Sequence, residues 1–177
     1  QTTKASTGFG FATNWNAEVY TTVRVTSLDY SIAIISEQQV SGTAAGDFTS
    51  GAFQTRVLNA ENYDADGIVS IATNQFTLQA GEYYIEWQAP SYDCVSHQSQ
   101  LYNITDASVV ELGCNAYNYG PSNQSGTSNG FAFVAIAGAK AFEIQHRGQT
   151  TKTISGLGLP CSFDTEQYTT VKIMKVA

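Results

Sequence analysis

His97 and His146 are the two histidines of the chain, and Arg147 stands beside the second. These are the residue types from which a general base, a metal site or an anion clamp is built. Each imidazole, however, alternates with apolar residues, His97 with Val95 and Leu101, His146 with Phe142 and Ile144. Period-two geometry therefore turns both rings toward an apolar layer, which favours buried, hydrogen-bonded structural histidines over a catalytic pair. Arg147 is expected to pair with Glu143 or with an acid of another chain, since a cation desolvated at a contact needs a partner.

Other constellations are weaker. Asn62-x-Asp64-x-Asp66-Gly67 has oxygen ligands on alternate residues and a glycine at the turn, but Thr73 stands where the closing bidentate Glu of an EF-hand belongs. A looser calcium site stays open, and an acidic surface turn is the simpler reading. Glu82, Glu86, Asp93, Asp106 and Glu111 could supply the two carboxylates of glycoside hydrolysis if the fold gathered them. No His-Glu-x-x-His pair or phosphate loop occurs, and the expectation is a protein without catalytic residues, metal or cofactor. Three cysteines leave at least one unpaired; a Cys94–Cys114 bridge across a hairpin is not implied, and half-buried free thiols are the alternative.

The stretch Gly113 to Gly130 lacks large aliphatic residues and reads as a long connector. It sets Tyr117, Asn118, Tyr119 and Asn123 among small polar residues, and flat rings with amides suit sugar stacking or protein contact. Tyr92 and Asp93 add to this candidate binding surface. Asn103 and Asp106 read instead as turn-formers at a hairpin tip.

These residues need strands to hold them. Runs of four to eight residues rich in β-branched and aromatic types cover 30–36, 53–58, 68–72, 75–78, 83–88, 98–102, 109–113, 131–136, 141–146 and 168–175. Gly- and Asp-bearing reversals separate them, as at Gln79-Ala80-Gly81, where Gly81 can take a positive φ. About ten strands with no helical periodicity predict an all-β, antiparallel two-sheet sandwich of the jelly-roll kind. Few charges, many aromatics and a net charge of −7 suit an extracellular or virion protein and disfavour nucleic acid as a partner. No apolar run is long enough for a membrane-spanning helix, so no membrane insertion is expected, and an export signal would lie outside the chain.

Several ordered motifs resemble one family. Phe76-Thr77-Leu78-Gln79-Ala80-Gly81-Glu82-Tyr83, Ala89-Pro90, His97-Gln98-x-x-Leu101-Tyr102-Asn103-x-Thr105-Asp106 and Phe142-Glu143-Ile144-Gln145-His146-Arg147 resemble the C-terminal domain of phage and prophage tail-fibre proteins. Ser41-Gly42-Thr43, Gly51 to Arg56, Leu58-Asn59 and Asp66 to Ser70 fit the same pattern, so the likeness runs over residues 31–177. It implies a jelly roll of the complement and tumour-necrosis-factor type, assembled as a homotrimer at the end of a fibre. Many family members carry a Cys after Gln-His-Arg; this chain has Gly148, which removes one disulfide partner.

The chain also repeats itself. Gln1-Thr2-Thr3-Lys4 returns as Gln149-Thr150-Thr151-Lys152, and Glu18-x-Tyr20-Thr21-Thr22-Val23 returns as Glu166-x-Tyr168-Thr169-Thr170-Val171, at a constant offset of about 148 residues. Residues 1–25 therefore read as the last strands of a preceding tandem copy and residues 26–177 as a complete domain, with adjacent copies as partners. Tyr20, Trp87 and Tyr168 are taken as aromatics in surplus of one core and available to a trimer contact. The function expected is non-covalent recognition of a bacterial surface glycan or protein by a virion fibre, or fibre structure itself. A secreted lectin-like module and a polysaccharide depolymerase are the alternatives.

Overall fold

Strands form where apolar and polar residues alternate, and also at three places where that pattern is hidden. The computed structural model describes residues 30–118 and 124–176; the tandem remnant at residues 1–25, with Tyr20, lies outside them, as do Tyr119 and Asn123. The described residues form β1 (Ser31–Gln39), β2 (Gln54–Thr55), β3 (Ala60–Asp64), β4 (Val69–Ala72), β5 (Gln75–Leu78) and β6 (Gly81–Tyr92). They continue with β7 (Val95–Asn103), β8 (Ser108–Leu112), β9 (Ala116–Asn118), β10 (Ser125–Ile136), β11 (Lys140–Gly148) and β12 (Glu166–Lys175). Among them there is no helix. One sheet runs β10-β6-β12-β1-β3; the other runs β4-β5-β11-β7-β8, with β2 beside β11 and β9 beside β7. Every pairing is antiparallel, as the two-sheet sandwich requires.

The two sheets close on a core that includes Ile35, Phe76, Leu78, Tyr83, Ile85, Trp87, Leu101, Phe142, Ile144, Val171 and Ile173. A smaller cluster of Ala45, Phe48, Cys94, Leu157 and Tyr168 fills another part of the interior. Trp87, 2 % exposed, and Tyr168, 7 % exposed, are thus consumed by packing within one chain. This corrects their reading as surplus interface aromatics. Among the aromatics left outside are Phe131 and Phe133 of β10, 62 % and 75 % exposed.

Three local departures have physical causes. The stretch Gly113 to Gly130, expected as a connector, carries β9 and the first half of β10. Inward positions of that half-strand are Gly126, Ser128 and Gly130, small because of what they face: a Cβ at Gly126 would come within 2.9 Å of His97 Nε2, and one at Gly130 would overlap the Trp87 indole. Alternation survives in space but not in hydrophobicity. The expected strand at 53–58 shrinks to β2, because the chain there leaves the seven-stranded sheet and crosses the core toward β3, burying Arg56 and Leu58 on the way. Asn62 and Asp64, read as possible calcium ligands, instead belong to β3. Asn62 accepts a 2.6 Å bond from Ser36, and both Asp64 oxygens accept backbone N–H groups of Ile68 and Val69 at 2.9 Å, which makes the segment a strand end and an Asx-type turn.

Other expectations are met. Asp106 N–H donates to Asn103 Oδ1 and Asn103 Nδ2 to Asp106 Oδ2, closing the β7–β8 hairpin. Gly81 has φ 153°. Cys94, Cys114 and Cys161 are free thiols, but none is half-buried: Cys94 is wholly buried and the other two are exposed.

Candidate functional site

Between the sheets the two histidines meet. His97 on β7 and His146 on β11 lie 2.9 Å apart, Nδ1 to Nε2, with one ring donating to the other. Phe48 closes the far side of His146 at a centroid distance of 4.9 Å. The remaining nitrogens, His97 Nε2 and His146 Nδ1, are buried without a hydrogen-bond partner among the described residues. Burial, with the Arg56 charge adding to it, pulls His97 down to about 4 and His146 to about 2. Both rings are therefore neutral near neutral pH, buried and hydrogen-bonded as their strand positions predict. Among the described residues no group of three or more His, Cys, Asp or Glu side chains is placed to hold a metal ion.

Next to them lies a buried cation that the sequence reading did not foresee. Arg56, wholly buried, donates from Nε to Thr169 Oγ1 at 2.6 Å, from Nη1 to Pro90 O at 3.1 Å, and from Nη2 to Leu157 O at 2.8 Å. Nη2 also meets Glu37 Oε2 at 3.3 Å, both side chains being inaccessible. Desolvation lowers the guanidinium to about 10 and raises Glu37. The network ties β1, β6, β12 and the loop at Leu157 to the crossover segment. It supports the site rather than opening onto it.

The opening is on the other side of the same strands. Because His97 and His146 face inward, Gln98 and Arg147 face out, and they are paired directly across β7 and β11. They line a cleft of about 1010 Å³ on the outer face of the seven-stranded sheet, with Ser50, Gly51 and Phe53 along one side and Asn115, Ala116 and Tyr117 along the other. Arg147 does not pair with Glu143. That carboxylate, 5 % exposed, accepts from Thr55 Oγ1 at 3.1 Å and from Gln145 Nε2 at 2.6 Å, which leaves Arg147 exposed and without an ion-pair partner among the described residues. Gly148 continues the strand where Phe48 packs, and a Cβ there would lie 2.8 Å from the Phe48 ring. A cysteine at this position would displace that ring.

Of the candidate surface residues, Tyr117 lines the cleft and is 62 % exposed. Asn118 is 1 % exposed; its Oδ1 accepts Cys94 N–H at 2.9 Å and its Nδ2 donates to Ser91 Oγ at 2.8 Å. Tyr92 is 6 % exposed, and Lys152 Nζ lies 5.2 Å from its ring centroid. Asp93 binds the same Lys152 at 2.9 Å. Tyr119 and Asn123 fall outside the described residues. The carboxylates considered for hydrolysis are dispersed: Asp106 holds Lys140, Glu82 and Glu86 lie on β6 in one sheet, and Glu111 lies on β8 in the other. The cleft's Gln98, Asn115, Arg147 and Gln149 were not singled out as binding residues in the sequence, although the parity that sends the histidines inward sends Gln98 and Arg147 outward.

No family model and no curated protein sequence matches the chain. Solved structures do. Murine APRIL at pH 5.0 is similar with a TM-score of 0.55 at 9% identity, covering 83% of this chain and 99% of that one. The Eiger TNF of S. frugiperda is similar with a TM-score of 0.53 at 12% identity, covering 84% and 93%. Together with the two antiparallel sheets, these likenesses define the chain as a jelly roll of the tumour-necrosis-factor type. At such identities the likeness is one of fold.

Proposed function

We propose that the chain is a self-associating, non-catalytic binding module whose cleft faces outward from the assembly, acting as a tail-fibre knob that recognises a bacterial surface. One observation carries the self-association: the outer face of the five-stranded sheet is apolar where a solvated face would be polar. Ile32, Met174, Tyr84 and Phe133 stand in one row across β1, β12, β6 and β10, each in register with the next. The row beside it runs Tyr63, Ile34, Lys172, Glu86 and Phe131, so one Lys and one Glu sit side by side among apolar neighbours. Tyr84 packs against Phe133 at 5.0 Å and against Phe131 at 6.4 Å between centroids, forming an aromatic patch of the kind that marks subunit contacts.

The tail-fibre setting rests on the motif resemblance, and the homotrimer on that resemblance and the fold. Three copies would display three clefts, so a weak single site could still hold a particle to a cell. Sedimentation of the full chain at micromolar concentration is expected to give three times the 19.0 kDa chain mass. Fluorescently labelled chain is expected to coat host bacteria. A monomer in the first experiment, or bare cells in the second across a broad panel of bacteria, overturns the reading. Electron microscopy of particles separates a fibre component from a secreted lectin on the same fold, and release of new reducing ends from host polysaccharide would establish a depolymerase instead.

A further inference from the structure

Resting on that binding role, the geometry points to a carboxylated saccharide, a uronic or sialic acid residue within a surface glycan, as the ligand of the cleft, with Arg147 as its carboxylate clamp. The argument begins with charge. The chain is acidic and its other described cations on or near this sheet are engaged, Lys140 by Asp106 at 2.5 Å and Lys152 by Asp93 at 2.9 Å. Arg147 alone of the three points into the cleft with no acid beside it among the described residues. A planar guanidinium left available in this way matches a single carboxylate through two parallel N–H···O bonds.

The surroundings select a sugar to bear that carboxylate. Gln98 is held in place by its Nε2 bond to Gly113 O at 2.9 Å, which leaves its carbonyl oxygen to accept from hydroxyls. Gln149, fixed by its backbone bond to Ser96 O at 2.8 Å, and Asn115 add amides on either side, while the exposed Tyr117 ring supplies a flat apolar face at the rim. An extended peptide has less to gain. β7 is already paired with β11 on one edge and with β8 and β9 on the other, and β11 with β2 and β5, so neither floor strand offers a free edge for strand addition. One arginine in an acidic chain also does not neutralise a run of phosphates.

The test uses the full chain on a panel of oligosaccharides containing uronic or sialic acid, each beside its carboxyl-reduced counterpart, with dissociation constants from titration calorimetry or saturation-transfer NMR. At least one acidic glycan should bind about tenfold more tightly than its reduced form, the usual scale of one charge-assisted bidentate contact. Arg147→Gln should abolish that preference, while Tyr117→Ala weakens acidic and reduced forms alike. Arg147 is exposed, so its replacement leaves folding intact, checked by an unchanged urea midpoint. No binding to any acidic glycan, equal binding of acidic and reduced forms, or a preference that survives Arg147→Gln each overturns the assignment. Labelled chain that still coats bacteria in those cases leaves the broader binding role standing; bare cells remove both.

Discussion

At the residue scale the chain hides charge and proton-binding groups between its sheets, and that concealment has a pH cost. His97 and His146 are held neutral because protonation would place a cation in a desolvated space already occupied by Arg56. Their folded-state pKa values lie below the unfolded value of about 6.5, so the unfolded chain binds more protons and stability rises with pH. The contribution is complete above about pH 6.5 and is lost as the pH falls toward about 4 for His97, and lower still for His146. Glu37, raised by burial, acts in the opposite sense, since its folded form holds a proton more readily. The urea midpoint should therefore drop between about pH 7 and 5, before most carboxylates titrate. Replacing both rings, His97→Leu with His146→Leu, should flatten that slope; an unchanged slope would assign the acid sensitivity elsewhere. Arg56 makes a sharper case. Arg56→Met should cost about 3–5 kcal/mol by leaving the buried Glu37 carboxylate without its counter-charge, whereas Arg56→Met with Glu37→Leu should recover much of it, measured by denaturant unfolding.

At the scale of elements, what limits a strand's visibility in sequence is the size of the residues facing inward. β5, β11 and β12 announce themselves because Phe, Leu, Ile and Val alternate with polar residues and fill the core from both sheets. The first half of β10 does not, because the space its inward positions would occupy is already taken by His97, Ser99 and Trp87 from the strands opposite and beside it. Ser128 Oγ bonds Ser99 Oγ at 2.8 Å and Trp87 Nε1 donates to the same Ser99 at 2.9 Å, so small and large residues complement each other across three strands. That complementarity is non-local and leaves no periodic signal in one segment. β3 was obscured differently: Asn62 and Asp64 are turn-formers by type, and pairing with β1 overrides them. The cleft was half legible, Tyr117 by composition and Arg147 by parity, but its walls at Ser50 to Phe53 and Gln149 are far apart in sequence. Packing at β10 is testable. Gly130→Ala should cost about 1–3 kcal/mol or more by overpacking against Trp87, while Thr127→Val on the exposed side of the same strand should stay within about 0.5 kcal/mol, compared by urea midpoints.

At the scale of the whole molecule the sandwich is asymmetric in what it shows to solvent. One outer face carries a polar, amide-lined cleft around Arg147; the other carries Ile32, Met174, Tyr84, Phe131 and Phe133. Along its second half β10 turns Ala132, Val134 and Ile136 toward the core and Phe131 and Phe133 outward, so folding of one chain gains little from those two rings. Their exposure is reconciled with a stable protein if a second copy covers them, since each ring removed from water stabilises the contact by about 1.5–3 kcal/mol. Phe133→Glu should therefore act on assembly and not on the fold. The carboxylate would be buried beside Glu86 of the neighbouring strand and the aromatic contact with Tyr84 would be lost, weakening association by about 2 kcal/mol or more. Sedimentation at micromolar concentration should shift toward single chains, while the far-ultraviolet circular dichroism and the intrinsic fluorescence of buried Trp87 stay as they are. An acidic substitution at an exposed apolar residue of the other sheet, Val109→Glu on β8, is the matched control and should leave the sedimentation profile untouched. If Phe133→Glu sediments like the parent chain, the five-stranded sheet is not the surface through which copies meet, and the clefts need not point outward together.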